Sequence, residues 1–106
     1  MNADNWMIDL NYTQAIAQAD ELDRVANNVK SLSEEDVTKL ISDLGACWEG
    51  TNADAYIAKV DILKKNLLKT AADIAKTAQA MREMATNIYK AEKEAQQIAD
   101  VRTYND

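Results

Sequence analysis

A seven-residue repeat of apolar side chains runs through residues 57–99, which read IAKVDILKKNLLKTAADIAKTAQAMREMATNIYKAEKEAQQIA. One series of the repeat consists of Val60, Leu67, Ile74, Met81, Ile88 and Ala95. A second series, mostly of alanine, consists of Ile57, Lys64, Ala71, Ala78, Ala85, Glu92 and Ala99. Their alternation by three and four residues is typical of a helix that packs along its length against other helices. Because no Pro or Gly follows Gly50, we expect one long helix over about residues 52–100 and a flexible tail over 101–106.

A similar stripe in the first half predicts another helix, over about residues 11–45. Its apolar positions are Tyr12, Ala15, Ala19, Leu22, Ala26, Val29, Val37, Leu40 and Leu44. Asn11 with Gln14 fits an N-cap and its reciprocal partner, which leaves residues 6–10 as a short extended lead-in. The stripe slips near residues 31–36, where Ser33 fits the cap of a new helical start with Asp36 as its partner. The pattern allows either a kink or break there or a continuous helix with a local phase shift.

Both glycines of the chain lie between the two stripes, in the segment LGACWEGTNAD of residues 44–54. Gly50 suits a helix end that needs a positive φ, and Thr51 with Asp54 fits a cap for the following helix. We therefore predict a turn over residues 46–51 and interpret Cys47 as a small buried side chain. The chain as a whole, residues 1–106, is predicted to be one all-α domain, a two-helix antiparallel hairpin.

A hairpin of two helices leaves much of each apolar stripe in water. Burial of one more Leu- or Ile-sized side chain gives ~1.5–3 kcal/mol, and closed two-fold dimers are the commonest oligomers. We therefore expect association with a second chain into a four-helix bundle. The predicted core of the dimer or bundle consists of Leu22, Val29, Leu40, Leu44, Val60, Leu67, Ile74, Met81 and Ile88.

The composition excludes several classes of function. The 106 residues include 18 Ala, one Cys and no His, so the commonest general base and metal ligand is missing and no disulfide can form within the chain. The sequence supplies no nucleophile–base pair, glycine-rich phosphate loop or metal-ligand set, and we expect neither an enzyme nor a bound cofactor or metal. The net charge of −6 argues against a nucleic-acid partner.

The sequence also bears on location. No segment approaches the ~20 apolar residues that cross a bilayer. The first twelve residues, MNADNWMIDLNY, lack the basic and apolar regions of an ordinary secretory signal peptide. We expect either a cytoplasmic protein or one that leaves the cell by a route that recognises the folded chain.

The triplet Trp48-Glu49-Gly50 lies near the middle of the chain, between two long amphipathic helices. That arrangement resembles the WXG family, the small ESAT-type substrates of type VII secretion systems in Gram-positive bacteria and mycobacteria. The resemblance covers about residues 10–99 and includes a small-small-aromatic run at the start of the second helix, here Ala53, Ala55 and Tyr56. It implies an antiparallel hairpin that dimerises into a four-helix bundle. It also implies export as a folded dimer by a membrane-bound ATPase, without a cleaved signal peptide.

The triplet has a physical explanation as well. Trp48 is placed where its ring can lie over the start of the second helix and close the end of the bundle, and an aromatic side chain there buries ~150–250 Å². Gly50 allows the chain to reverse at once. We interpret the motif as structural first, with any recognition by the export machinery added to it.

The family often carries an export signal after the second helix, a Tyr with an acid four residues later. In this sequence Lys93 stands four residues after Tyr89, so the match is poor. A looser form of the signal, a hydrophobic residue followed by an acid and two apolar residues, fits Ile88, Glu92, Ala95 and Ala99. The three apolar members also belong to the core stripe, whereas Glu92 interrupts the alanine series and is the predicted recognition residue.

The resemblance implies a protein made in the bacterial cytoplasm and secreted, which acts by protein–protein contact as a substrate or a co-secreted helper. The implied partners are the chain itself, a paralogous WXG protein or the helical segment of a toxin, together with the secretion ATPase. The alternative is a cytoplasmic helical-bundle adaptor or chaperone for a larger toxin that has an N-terminal helical targeting segment.

Overall fold

A computed structural model describes the backbone of residues 2–105 and the side chains of residues 5–102. Helix α1 comprises Asn2–Ser31, a π-helical turn follows over Leu32–Val37, α2 comprises Thr38–Cys47, and α3 comprises Thr51–Asn105. Residues 2–105 contain no strand. The all-α prediction is therefore confirmed, with α1 and α3 as two long helices that pack together.

The helices extend further at both ends than the sequence pattern predicts. Helix α1 begins at Asn2, so the expected start at Asn11 and the extended lead-in over residues 6–10 are wrong. Helix α3 continues to Asn105, which also contradicts a flexible tail over 101–105; Asp106 lies outside the described residues. No Pro or Gly interrupts either extension, and each residue added to an existing helix gains a backbone hydrogen bond. In α1, burial of Ile8 adds to this.

The π-helical turn decides between the two alternatives for residues 31–36. The chain stays helical through Leu32–Val37, as in a continuous helix with a local phase shift, and does not break there. Ser33 does not cap a helix. Its side chain is buried, and its Oγ donates a hydrogen bond to the backbone carbonyl of Lys64. The extra residue of the π turn places Ser33 and Val37 together among the buried residues.

The contacts of the chain form two compact units. One unit joins the N-terminal segment up to Glu21 with the C-terminal segment from Thr77, and we call it the terminal unit. The other, the turn unit, comprises residues Leu22–Lys76 and contains the π-helical turn, α2 and the break before α3. Each unit therefore pairs a segment from the first half of the chain with a segment of α3.

Small side chains form most of the interior. Among residues 5–102, five of the eight buried apolar residues are alanines, and the eight are Ile8, Ala19, Ala26, Val37, Ala53, Val60, Ala71 and Ala78. Alanine at such positions lets two helix backbones approach closely. Larger apolar side chains remain exposed, and among them are Trp6, Met7, Leu32, Ile62, Leu63, Met84, Ile98 and Val101.

The nine residues predicted as the core of a dimer or bundle are only partly covered within one chain. Val60 is buried, whereas Leu40 and Ile88 are exposed. The other six are half-buried, namely Leu22, Val29, Leu44, Leu67, Ile74 and Met81. Their burial against a second chain stays a prediction.

Candidate functional site

The turn at the Trp-x-Gly triplet has defined backbone geometry. Trp48 is extended, at φ −137° and ψ 121°, and its N–H donates to the carbonyl of Leu44 at 2.9 Å, which ends α2. Gly50 has a φ of 111°, a conformation that other residues adopt only with strain, as the sequence predicts. The Gly50 carbonyl accepts the N–H of Asp54 at 3.0 Å, so α3 begins directly after it. Thr51 is the first residue of α3 and not its cap, which corrects that prediction.

The ring of Trp48 lies against the first turns of α3. Its centroid is 5.6 Å from that of Tyr56, and the two planes are inclined by 53°. Tilted aromatic pairs at this separation are favourable. The predicted contact with the start of the second helix is therefore present, yet 41% of Trp48 and 53% of Tyr56 remain exposed. The two side chains form an aromatic patch on the surface of the turn unit.

Cys47 is exposed, so its interpretation as a buried side chain is wrong. It lies at the end of α2, a helix in which no residue is buried. Its Sγ donates to the carbonyl of Asp43 at 3.0 Å, one turn back along the same helix. Because it is exposed, the thiol does not contribute to the packed interior of the turn unit.

The four residues of the candidate export signal lie within α3, which continues to Asn105. Ile88, Ala95 and Ala99 are exposed and Glu92 is half-buried. The three apolar members therefore do not belong to the interior of the single chain. Their spacing of seven and four residues keeps them on one side of the helix, together with Glu92.

Sequence reasoning missed a cluster in the terminal unit that joins α1 to α3. Lys93 Nζ lies 3.0 Å from Asp9 Oδ1 and 5.5 Å from the centroid of the Tyr89 ring. The Tyr89 ring is itself 4.7 Å from that of Tyr12. A hydrogen bond from Lys93 lowers the pKa of the Asp9 carboxyl, with smaller contributions from a Tyr89 hydrogen bond and the Lys93 charge, against an opposing effect of desolvation. The available signals were the i, i+3 spacing of Asp9 and Tyr12 and the i, i+4 spacing of Tyr89 and Lys93.

This cluster borders an apolar groove of about 180 Å³. Its walls include Ile8, Tyr12 and Ala15 on one side and Ala85, Ile88 and Glu92 on the other. Two members of the candidate signal, Ile88 and Glu92, therefore lie at a groove rather than on an isolated helix face. The groove offers an apolar surface with a carboxylate at its edge.

Among the residues that the structure describes, no helix has the length and apolar character that a membrane span requires. No three His, Cys, Asp or Glu side chains in the same part of the chain are grouped so that they could hold a metal ion.

Comparisons with protein-family models, with curated proteins and with solved structures find no match for this chain. The resemblance to the WXG family therefore depends on the sequence pattern described above. Membership of the family stays a prediction.

Proposed function

We propose that this chain is a small WXG-type protein that a type VII (ESX-like) secretion system exports as a folded dimer. It acts by protein–protein contact, as a secreted substrate or a co-secreted helper, and not by catalysis. The observation that carries the proposal is the geometry of the triplet. Trp48 and Gly50 lie in the break between two helices, with Gly50 at a positive φ and the Trp48 ring on Tyr56.

The proposed hairpin is antiparallel. Three contacts within the terminal unit support this arrangement. As the residue number in α1 rises, the number of the α3 residue that it contacts falls. Asp9 pairs with Lys93, Tyr12 with Tyr89, and Asp20 with Arg82, at 2.6 Å in the last pair. Contacts in that order are expected for two helices that run in opposite directions, and they support the antiparallel arrangement.

The proposed dimer is supported by the apolar side chains that one chain leaves exposed. Leu40 is exposed although it belongs to the heptad stripes, and six other stripe residues are half-buried. Burial against a second copy or a paralogous WXG protein would remove this surface from water. Sedimentation equilibrium tests the association directly, and a monomer at micromolar concentration would contradict it.

The role of helper has support of its own. In the family's usual signal an acid stands four residues after the tyrosine, and Lys93 occupies that position here. Lys93 also pairs with Asp9, so this side chain is already engaged within the chain. We therefore favour a chain that travels with a partner bearing the full signal, such as a paralogue or the helical segment of a toxin.

Secretion from the native host tests the proposal. The protein should appear in the culture medium of the wild type and be absent from the medium when the secretion ATPase is deleted. Trp48→Ala should reduce export, whereas Trp6→Ala, the same substitution at another exposed tryptophan, should leave it unchanged. Equal export of both variants would contradict the role of Trp48.

The same experiment distinguishes the alternative, a cytoplasmic adaptor or chaperone for a larger toxin. That alternative predicts protein in the cells alone, with or without the ATPase. Copurification of an untagged partner from the native host would then identify the toxin or paralogue that the chain binds.

A further inference from the structure

The C-terminal third of α3 carries a second apolar stripe, which we call the outer stripe. It consists of five exposed residues at alternating spacings of four and three, namely Met84, Ile88, Ala91, Ala95 and Ile98. The three large side chains are 62%, 53% and 56% exposed, in the order Met84, Ile88 and Ile98. This spacing is that of a helix surface that packs against another helix over two heptads, about 21 Å.

The outer stripe differs from the side of α3 that faces α1. On that side, Arg82, Tyr89 and Lys93 contact Asp20, Tyr12 and Asp9, respectively. Each of these α3 residues lies one or two positions from a member of the outer stripe, which is a rotation of about 100–200° around the helix. Packing of α1 within the chain therefore leaves the outer stripe uncovered, apart from the groove at Ile88.

The charged residues at the positions that flank the outer stripe all have the same sign. One flank consists of Ala85, Glu92 and Ala99, and the other consists of Asn87, Glu94 and Val101. Flanking positions of this kind form the ion pairs between packed helices and select the partner. Of the basic residues near the stripe, Lys93 is paired with Asp9, Lys90 lies outside both flanks, and Arg102 lies beside Ile98 and Val101 at the C-terminal end of the stripe. The charged flanking residues are therefore acidic on both sides.

This charge pattern disfavours a second copy of the chain as the occupant. Whichever way two outer stripes meet, their flanks bring acids to other acids or to uncharged residues. A partner with basic flanks would instead form attractive pairs on both sides. The small side chains of Ala91 and Ala95 let such a helix approach closely at the middle of the stripe.

We propose that the outer stripe of α3 docks an amphipathic helix of another protein, one with aliphatic residues on its seam and Lys or Arg at the positions beside the seam. Glu92 and Glu94 select the basic flanks, and Met84, Ile88 and Ile98 bury the aliphatic seam. The proposal goes beyond the proposed function, because it names the chemistry of a partner and holds whether or not the chain is exported.

A synthetic peptide tests the proposal on the purified full-length protein. The probe is a fluorescent amphipathic peptide of about three heptads, with Leu at the seam and Lys at the flanking positions. Binding is measured by anisotropy at about 0.15 M salt, where the Debye length of ~8 Å weakens distant charge attraction. The matched control peptide has Glu in place of every Lys, and it should bind roughly tenfold more weakly or not at all.

Variants of the protein locate the binding surface. Glu94→Lys should weaken binding of the Lys peptide roughly tenfold, whereas Glu49→Lys, which changes the net charge equally, should leave it within about twofold. Ile98→Asp should abolish binding, and because Ile98 is exposed this variant should keep the helical circular dichroism of the wild type. Equal binding of the two peptides, or equal effects of Glu94→Lys and Glu49→Lys, would overturn the proposal.

A second copy of the chain is the competing occupant, and the same variant tests for it. If Ile98→Asp converts a wild-type dimer to a monomer in sedimentation equilibrium, the outer stripe is a self-association surface and the proposal is overturned. If the native host does not export the protein but the purified protein still binds the Lys peptide, the proposed function alone is contradicted.

Discussion

Ser33 donates a hydrogen bond from its Oγ to the backbone carbonyl oxygen of Lys64, at 2.8 Å and with no exposed surface on the serine. The bond joins the π-helical turn to α3, so a polar side chain fixes the register of these two segments. A buried hydroxyl without a partner is costly, and in this pair the carbonyl supplies the partner. The π turn and the position of Ser33 therefore stabilise each other.

Ser33→Ala should lower the free energy of unfolding by about 1 kcal/mol, because it removes this hydrogen bond and leaves a small void. Chemical denaturation followed by circular dichroism measures the change. Ser42→Ala, at an exposed position of α2, is the matched control and should change stability by less than about 0.5 kcal/mol. Equal stability of the wild type and Ser33→Ala would mean that the bond contributes nothing.

Ala78→Leu should destabilise the terminal unit. Ala78 has no exposed surface, and a larger side chain there forces the helices apart at a cost of about 1–3 kcal/mol. Ala80→Leu is the matched control, since Ala80 is exposed on the same helix and Ala and Leu have similar helix propensities. Thermal unfolding of both variants checks the prediction, and a loss of stability that is the same in the two would contradict the buried role of Ala78.

The two glycines should respond to alanine in opposite directions. Gly50→Ala places a side chain at a φ of 111°, and although the added Cβ meets no atom within 4 Å, the backbone strain should cost about 1–2 kcal/mol. Gly45→Ala adds a Cβ in equally open space within α2, where alanine is the better helix former, and should stabilise by about 0.5–1 kcal/mol. Denaturation midpoints of the two variants measure both signs. Stabilisation by Gly50→Ala would contradict the geometry of the turn.

Particular residues show how far the sequence could predict this structure. The heptad stripes and Gly50 predict the helices and the break between them, because periodicity and positive φ are local properties of the sequence. The burial of Ser33 was missed because a serine followed three residues later by an acid has the pattern of a helix cap. The contact of Asp9 with Lys93 joins distant parts of the chain, and local spacings place each residue on a face of its own helix without showing that the two faces meet.

Asp9→Asn should lower stability at neutral pH and have less effect in acid. The folded-state pKa of Asp9 is below its ordinary value of 3.8, so ionised Asp9 contributes stability above that pH, and the contribution is lost as the pH falls through the lower folded-state pKa. Melting temperatures of wild type and variant from neutral pH to about pH 2 should therefore converge at the acid end. In a Lys93→Met background the substitution should have little effect at any pH. An undiminished effect there would show that Lys93 is not the cause.

Glu92→Ala should reduce secretion in the native host while the protein still folds and associates. Glu92 is the acid of the candidate signal, and it lies at the edge of the groove with Ile88, where a receptor can contact both side chains. Glu83→Ala, nine residues earlier on α3, removes the same charge from an exposed position outside the groove and should not affect secretion. The protein in the medium is compared with that in the cells by immunoblot, and sedimentation equilibrium confirms association of both variants. If Glu92→Ala associates and is secreted like the wild type, the assignment of Glu92 to the export signal is wrong.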